Sequence, residues 1–301
     1  MRRREFLTAV GGVAGATASG CLGNSGYVSV LSAGSLAVVL DDELGPSFER
    51  ETGTAYRGEY HGSNTVMRMV EDGQKNPEVV VSADAGLLRD RLYDEHTDWD
   101  AVFASNSVGI AYDEGTRVGE RLESGDAWYE VLRDADEGEV AISDPELDPL
   151  GYRAVQMFEL TEEKHGLDGF RDEMLAKVYE EPEEPQLLAG VRSGTRAAAV
   201  AYENMAVDHG IPFHELPDDL NFSDPERADD YAEATYTTED GTTFEGTPVL
   251  YNVTVLSDAR RSDAGYEFVR YLLENRETLA EAGLSLPDVS YNGEPPEEVV
   301  V

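Results

Sequence analysis

The sequence predicts an α/β chain of two lobes, built on mixed, mostly parallel sheets with helices on both faces. Three observations predict it. Strand-like and helix-like patterns alternate from the first apolar run onward, as parallel strands joined by helical crossovers require. About 280 residues remain after an apparent targeting segment, more than one ordinary core holds. Several strand-to-helix turns carry Gly, Ser or Asp-Pro, and open sheets hold ligands beyond the carboxyl ends of their strands.

Tyr27-Val28-Ser29-Val30-Leu31 reads as a β-branched, apolar strand, with Ser32 to Ser35 as its turn. Leu36 to Thr52 has an apolar face of Leu36, Val39, Leu40, Leu44 and Phe48, which predicts one amphipathic helix ended by Gly53. Ala55 to Tyr60 is a second strand. His61-Gly62-Ser63-Asn64 then opens a helix through Val66, Met67 and Val70. Glu78 to Val81 is a buried strand, and Ser82-Ala83-Asp84 opens the next helix. Val108 to Tyr112 is a strand, and Trp128-Tyr129 with Val131-Leu132 marks a helix. Val140 to Ile142 is a strand ending in Ser143.

After it come Asp144-Pro145 and Asp148-Pro149. Asp148 stands where an N-cap belongs and Pro149 where the first helical residue belongs, with the helix running to about Thr161. Lys164 to Pro185 reads as a polar connector whose run Glu180 to Pro185 is loop. Gln186 to Gly194 ends a helix, and alanine-rich Arg196 to Asp208 predicts another. Phe213 to Leu216 is a short strand and Thr247 to Leu256 a long β-rich run. The last helices are Asp263 to Leu273 and Glu277 to Ala282, closed by Gly283.

The N-terminus reads as an address. Arg2-Arg3-Arg4-Glu5-Phe6-Leu7 holds a twin arginine ahead of an apolar stretch too short to span a bilayer, which points to Tat export. Ala18-Ser19-Gly20-Cys21 resembles a lipobox. Cys21 is the single cysteine, so no disulfide forms within the chain and a lipid anchor at Cys21 is the expectation. Residues 1–20 are then signal and 21–26 a tether. The chain beyond would sit on the extracellular face of the membrane.

Acidic residues number 62 against 23 basic, for a net charge of −39, yet 41% of residues are hydrophobic. That is the composition of a folded protein kept soluble at very high salt, not of a disordered acidic chain. No basic stripe suits nucleic acid. The five histidines are scattered without metal-ligand spacing, and neither a nucleophile elbow nor a Walker loop occurs. Nothing therefore points to an enzyme, a secreted hydrolase included, or to a cofactor.

Gly34-Ser35, Gly62-Ser63 and Asp148-Pro149 share one chemistry. Each offers backbone N–H groups at a helix start, and two add a serine hydroxyl. Each serine alone is equally a helix cap; three such turns in one α/β chain together suit an oxyanion.

On these residues the chain resembles the solute-binding proteins of archaeal molybdate and tungstate ABC importers, in a haloarchaeal form. The motifs are Ser32-Ala33-Gly34-Ser35-Leu36, Gly62-Ser63, Ser82-Ala83-Asp84, Phe103-Ala104-Ser105-Asn106, Asp148-Pro149-Leu150-Gly151-Tyr152-Arg153, Ala206 to Gly210 and Tyr251-Asn252-Val253-Thr254. The resemblance implies a type II periplasmic-binding-protein fold. Residues 27–108 and 255–295 would form one lobe and 109–254 the other, with two crossing strands near Ser107 to Tyr112 and Tyr251 to Leu256. It implies a monomer that captures molybdate or tungstate between the lobes and delivers it to a membrane permease. The implied ligand-binding residues are Gly34, Ser35, Ser63, Asp148, Pro149, Leu150 and Tyr251. Asp148 would be the first of two carboxylates that join the metal directly. The position of the second is Ala201, with Glu203 expected on the far side of a helix. Three readings follow from that departure: a tetrahedrally bound anion, another oxyanion such as sulfate or phosphate, or a carboxylate from elsewhere. Ferric ion, which tyrosine pairs bind in this fold, fits less well because Tyr251 has no adjacent tyrosine.

Overall fold

The computed structural model describes residues 26–301. The signal, Cys21 and all of the tether but Gly26 lie outside the described residues. Two sheets divide the chain. The first begins with β1 (Tyr27–Ala33), β2 (Ala55–His61), β3 (Val79–Ser82) and β4 (Trp99–Ser105). Asn106-Ser107 then carries the chain into the second sheet. That sheet holds β5 (Val108–Tyr112), β6 (Val140–Ser143), β7 (Tyr179–Glu181), β8 (Ala198–Tyr202) and β9 (Phe213–Glu215). A hairpin of β10 (Thr235–Thr237) and β11 (Thr243–Glu245) follows. The chain returns to the first sheet as β12 (Leu250–Val255) and ends with β13 (Ser290–Gly293).

The first sheet has the order β13-β4-β12-β3-β1-β2 and the second β7-β6-β8-β5-β9. β1 runs parallel to β2 and β3, while β12 runs antiparallel to β3 and β4. In the second sheet β6 is parallel to β7 and β8, and β5 is antiparallel to β8 and β9. Both sheets are therefore mixed, as expected, but with four parallel and five antiparallel pairings between them rather than mostly parallel ones. The chain passes between the lobes twice. The passages fall just before the strands expected to cross: Val108 pairs with Tyr202 in the second sheet, and Leu250 with Ser105 in the first. Leu250–Thr254, expected in the second lobe, thus belong to the first.

Four local expectations need correction. The alanine run forms strand β8, not the start of a helix; the helix there is only Glu203–His209. All five β8 residues are buried at the centre of the sheet, between β5 and β6, with the helices Pro149–His165 and Leu187–Arg192 packed against them. Alanine's helix preference is worth only tenths of a kcal/mol per residue, and a central ladder with helix cover outweighs it. Strand β4 escapes a reading by pattern because Asp100 and three alanine or serine residues dilute it. Asp100 is tolerated there because Arg89 (2.8 and 2.9 Å) and Asn252 (3.0 Å) bond its carboxylate. The span from Gly34 to Thr52 is helical in three pieces: a tight turn at Gly34–Leu36, a widened turn at Val39–Leu44 and a regular helix at Gly45–Thr52. Pro46 lacks the N–H that a continuous helix needs, and the widened turn precedes it. The expected connector contains the helix Phe170–Leu175, β7 and a tight turn at Glu184–Gln186, which buries a glutamate.

Candidate functional site

The carboxyl ends of β1 and β2 meet the second lobe at one buried spot. Gly34 and Ser35 follow β1, and Gly62-Ser63 follows β2. Across from them lie Asp148, which caps the helix Pro149–His165, and Glu184, in the turn after β7. The Gly34 N–H donates to Glu184 Oε2 at 2.9 Å. The Ser35 hydroxyl bonds the Tyr251 hydroxyl at 2.9 Å, and Asn204 Nδ2 donates to the Ser35 carbonyl at 2.6 Å. Asn106 Nδ2, at the passage between lobes, donates to Asn204 Oδ1 (2.8 Å) and to the Tyr251 hydroxyl (3.2 Å). The lobes are closed on each other.

Gly62 makes the closure sterically feasible. A Cβ there would sit 2.3 Å from Asp148 Cβ and 2.5 Å from the Leu147 carbonyl oxygen. Its backbone, φ −56° and ψ 140°, suits any residue. Gly62→Ala is therefore expected to leave the lobes folded and to block their closure. Thermal unfolding should barely change, while ligand affinity falls at least ten-fold by calorimetry. Unchanged affinity would show that closure does not bring Asp148 onto Gly62.

Asp148 and Glu184 are only 1% and 2% exposed. Asp148 Oδ1 accepts from Leu150 N (2.7 Å) and Gly151 N (3.1 Å), and Oδ2 accepts from the Ser143 hydroxyl. Burial pushes the Asp148 carboxyl up from 3.8 to about 6, against the lowering effect of those three donors. Burial, and then the charge of Asp148, raise Glu184 well above the usual carboxylate range. Glu184 Oε1 has no hydrogen-bond partner. Raised well above that range, against about 6 for Asp148, Glu184 is the member of the pair that holds a proton more readily.

A carboxyl whose pKa is raised on closure binds its proton more tightly closed than open. For Asp148 that stabilisation is complete below about pH 4 and lost as pH rises through about 6. Without added ligand, the closed form is thus expected to open between those values. Small-angle scattering in molar salt should show the radius of gyration rising over that window.

The expected residues fall as follows. Gly34, Ser35 and Tyr251 converge directly with Glu184. Asp148 faces Gly62, and its helix start is capped by Asp148 itself, so the Leu150 and Gly151 N–H groups are already engaged. The Ser63 hydroxyl accepts from Ala83 N at 3.0 Å and ties the two turns of the first lobe together. Pro149 and Leu150 are buried at the helix start. Ala201 is buried near the end of β8, opposite Gly109, and the Glu203 carboxylate is turned to the Ser107 hydroxyl at 3.0 Å. Sequence reasoning missed Glu184, Asn106 and Asn204. It also missed a latch across the seam: Arg153 of the second lobe, fully buried, pairs with Asp84 of the first at 2.8 Å. Arg153 also bonds the Ala83 carbonyl (3.3 Å) and the Tyr202 hydroxyl (3.0 Å), while the Tyr152 hydroxyl donates to Asp84 at 2.7 Å. The run Tyr152-Arg153 right after the cap was the available signal.

Comparison with known proteins identifies the family. The chain is 47% identical to an uncharacterized solute-binding protein of Halobacterium salinarum, over 95% of this chain and 93% of that one. It is 29% identical to the molybdate/tungstate-binding protein of Pyrococcus abyssi, over 85% of each. Its fold resembles the periplasmic molybdate-binding protein of Azotobacter vinelandii at a TM-score of 0.61 and 16% identity, covering 87% of this chain and all of that one. Residues 28–285 match the model of the bacterial extracellular solute-binding protein family. The chain belongs to that family, whose members bind solutes outside the membrane for ABC transporters and do not catalyse reactions.

Proposed function

We propose that the closed cleft captures a group 6 oxyanion, molybdate or tungstate, and hands it to a membrane permease. The observation that carries this reading is the convergence of Gly34, Ser35, Tyr251, Asp148 and Glu184 on one water-excluded spot between the lobes. Backbone N–H groups and hydroxyls there suit the oxygens of a tetrahedral anion. Two facing carboxylates do not, unless they are protonated or bond the central atom. Molybdenum and tungsten accept extra oxygen ligands, whereas sulfur and phosphorus in their oxyanions do not. Glu184 thereby takes the role that Ala201 leaves empty, with Asp148 as the first carboxylate. The relative named for molybdate and tungstate supports the same ligand class.

On this reading the protein works as a monomer, exported by the Tat route and held at the outer membrane face through Cys21. The test is calorimetry with molybdate, tungstate, sulfate and phosphate in molar salt. Tight binding of the first two and weak binding of the others is expected; the reverse order would sink the reading. Asp148→Asn separates capping from coordination. Asn is as good a cap as Asp, so thermal stability should change by less than about 1 kcal/mol. Molybdate and tungstate affinity should nevertheless fall at least ten-fold. Retained affinity would reduce Asp148 to a helix cap.

A further inference from the structure

We propose that a second pocket, at the far end of the first lobe from the cleft, binds a phosphate ester. β1 runs from Tyr27 to Ala33, so its start lies about 20 Å from the turn at Gly34. Around Tyr27 there is a pocket of about 460 Å³, lined among others by Arg57, Lys75, Asn76, Arg260 and Arg261. Four cations in one pocket stand out in a chain with 23 basic and 62 acidic residues. Three carboxylates lie nearby. Glu59 accepts from Lys75 at 2.7 Å, buried Glu78 pairs with Arg261 at 2.8 Å, and Asp258 at the rim accepts from Asn76 at 3.2 Å. Arg57 and Arg260 have no ion-pair partner among the described residues.

The arrangement is pre-organised. Arg57 and Arg261 stack on the Tyr27 ring, each guanidinium carbon 3.6 Å from its centroid. Arg261 is fixed further by Glu78 and by a 2.9 Å bond to the Tyr27 carbonyl. Planar guanidinium groups match phosphate oxygens in pairs, which a point charge cannot do. In molar salt the Debye length is about 3 Å, so a diffuse basic field would be screened while contact-range chelation persists. The volume admits a phosphate with a small organic group, within the ordinary range of about 300–1,000 Å³ for ligand pockets.

Such an ester has two sources: a lipid headgroup or a soluble metabolite. Tyr27 directly follows residues 21–26, an extended span of at most about 22 Å. An anchor at Cys21 would hold the pocket within reach of headgroups.

The test uses the full chain in molar KCl with two probes. One is flotation on vesicles of phosphatidylglycerol against phosphatidylcholine. The other is calorimetry with glycerol 1-phosphate. The variant is the double charge reversal Arg57→Glu/Arg260→Glu, whose positions lie outside the cleft, so unchanged thermal unfolding confirms its fold. Preference for phosphatidylglycerol, reduced at least ten-fold by the variant, assigns a headgroup. Binding of glycerol 1-phosphate, reduced equally and without a vesicle preference, assigns a soluble ester. If charge reversal changes neither probe, the pocket is not a phosphate site. None of these outcomes depends on which anion the cleft takes.

Discussion

Glu184→Ala is expected to weaken molybdate and tungstate binding about 100-fold, or about 2.7 kcal/mol, and to strengthen sulfate binding. That loss lies within the range of about 1.5–3 kcal/mol for contacts made by charged groups. In the closed form the Glu184 carboxylate accepts from the Gly34 N–H at 2.9 Å, a donor that also suits an anion oxygen, and its second oxygen is unpartnered. Two roles fit that position, and they predict opposite signs. If Glu184 bonds the metal, removing it deletes a ligand that sulfate never used, so molybdate and tungstate lose affinity while sulfate is relieved of a repulsive neighbour. If Glu184 merely competes with the anion for that donor, removing it frees the Gly34 N–H and every oxyanion binds more tightly. Calorimetry on the variant with tungstate and sulfate decides between them, and a uniform gain would end the coordination role. Glu184→Gln keeps the shape and removes the charge. It should relieve sulfate as the alanine variant does while leaving the lobes equally stable.

The contrast between Glu184 and the turns around it shows what a sequence can carry. Gly34-Ser35, Gly62-Ser63 and Asp148-Pro149 were legible because their chemistry is local: a strand ends, a helix starts, and the capping residues have types and spacings of their own. Glu184 was illegible because its burial is a property of closure. It sits in the acidic, proline-punctuated run Glu180 to Pro185, which composition marks as solvated loop, and its partner Gly34 is 150 positions away. Ala197 to Ala201 failed for a related reason. Alanine is intrinsically a helix former, and only the helices packed against β8 and its place between β5 and β6 make Ala198–Tyr202 a central strand. Asp100 hid β4 in the same way, since its cost in a buried strand is met by Arg89, eleven residues earlier on a helix. The fold class survives such misreadings because the alternation of periods is redundant along the chain. The site does not, because each of its residues counts once.

Arg153→Met should cost ligand affinity on the order of a hundred-fold or more while leaving each lobe folded. Arg153 and Asp84 come from opposite lobes and are buried together in the closed form. An intact buried ion pair contributes little net stability, but deleting one partner strands the other at a cost of about 3–5 kcal/mol. That cost is expected to fall on closure alone, since separating the lobes would let water reach the Asp84 carboxylate. Thermal unfolding of the ligand-free protein should therefore move little, whereas saturation with tungstate should no longer shrink the radius of gyration at concentrations that close the native chain. Asp84→Asn is the matched partner, since Asn keeps the cap on the helix Ala85–Leu92 that Asp84 supplies through Leu87 N at 3.1 Å. The double variant Asp84→Asn/Arg153→Met removes both charges, so its affinity should recover most of what Arg153→Met loses. Additive losses in that cycle would mean that the two residues act separately and that the latch does not govern closure.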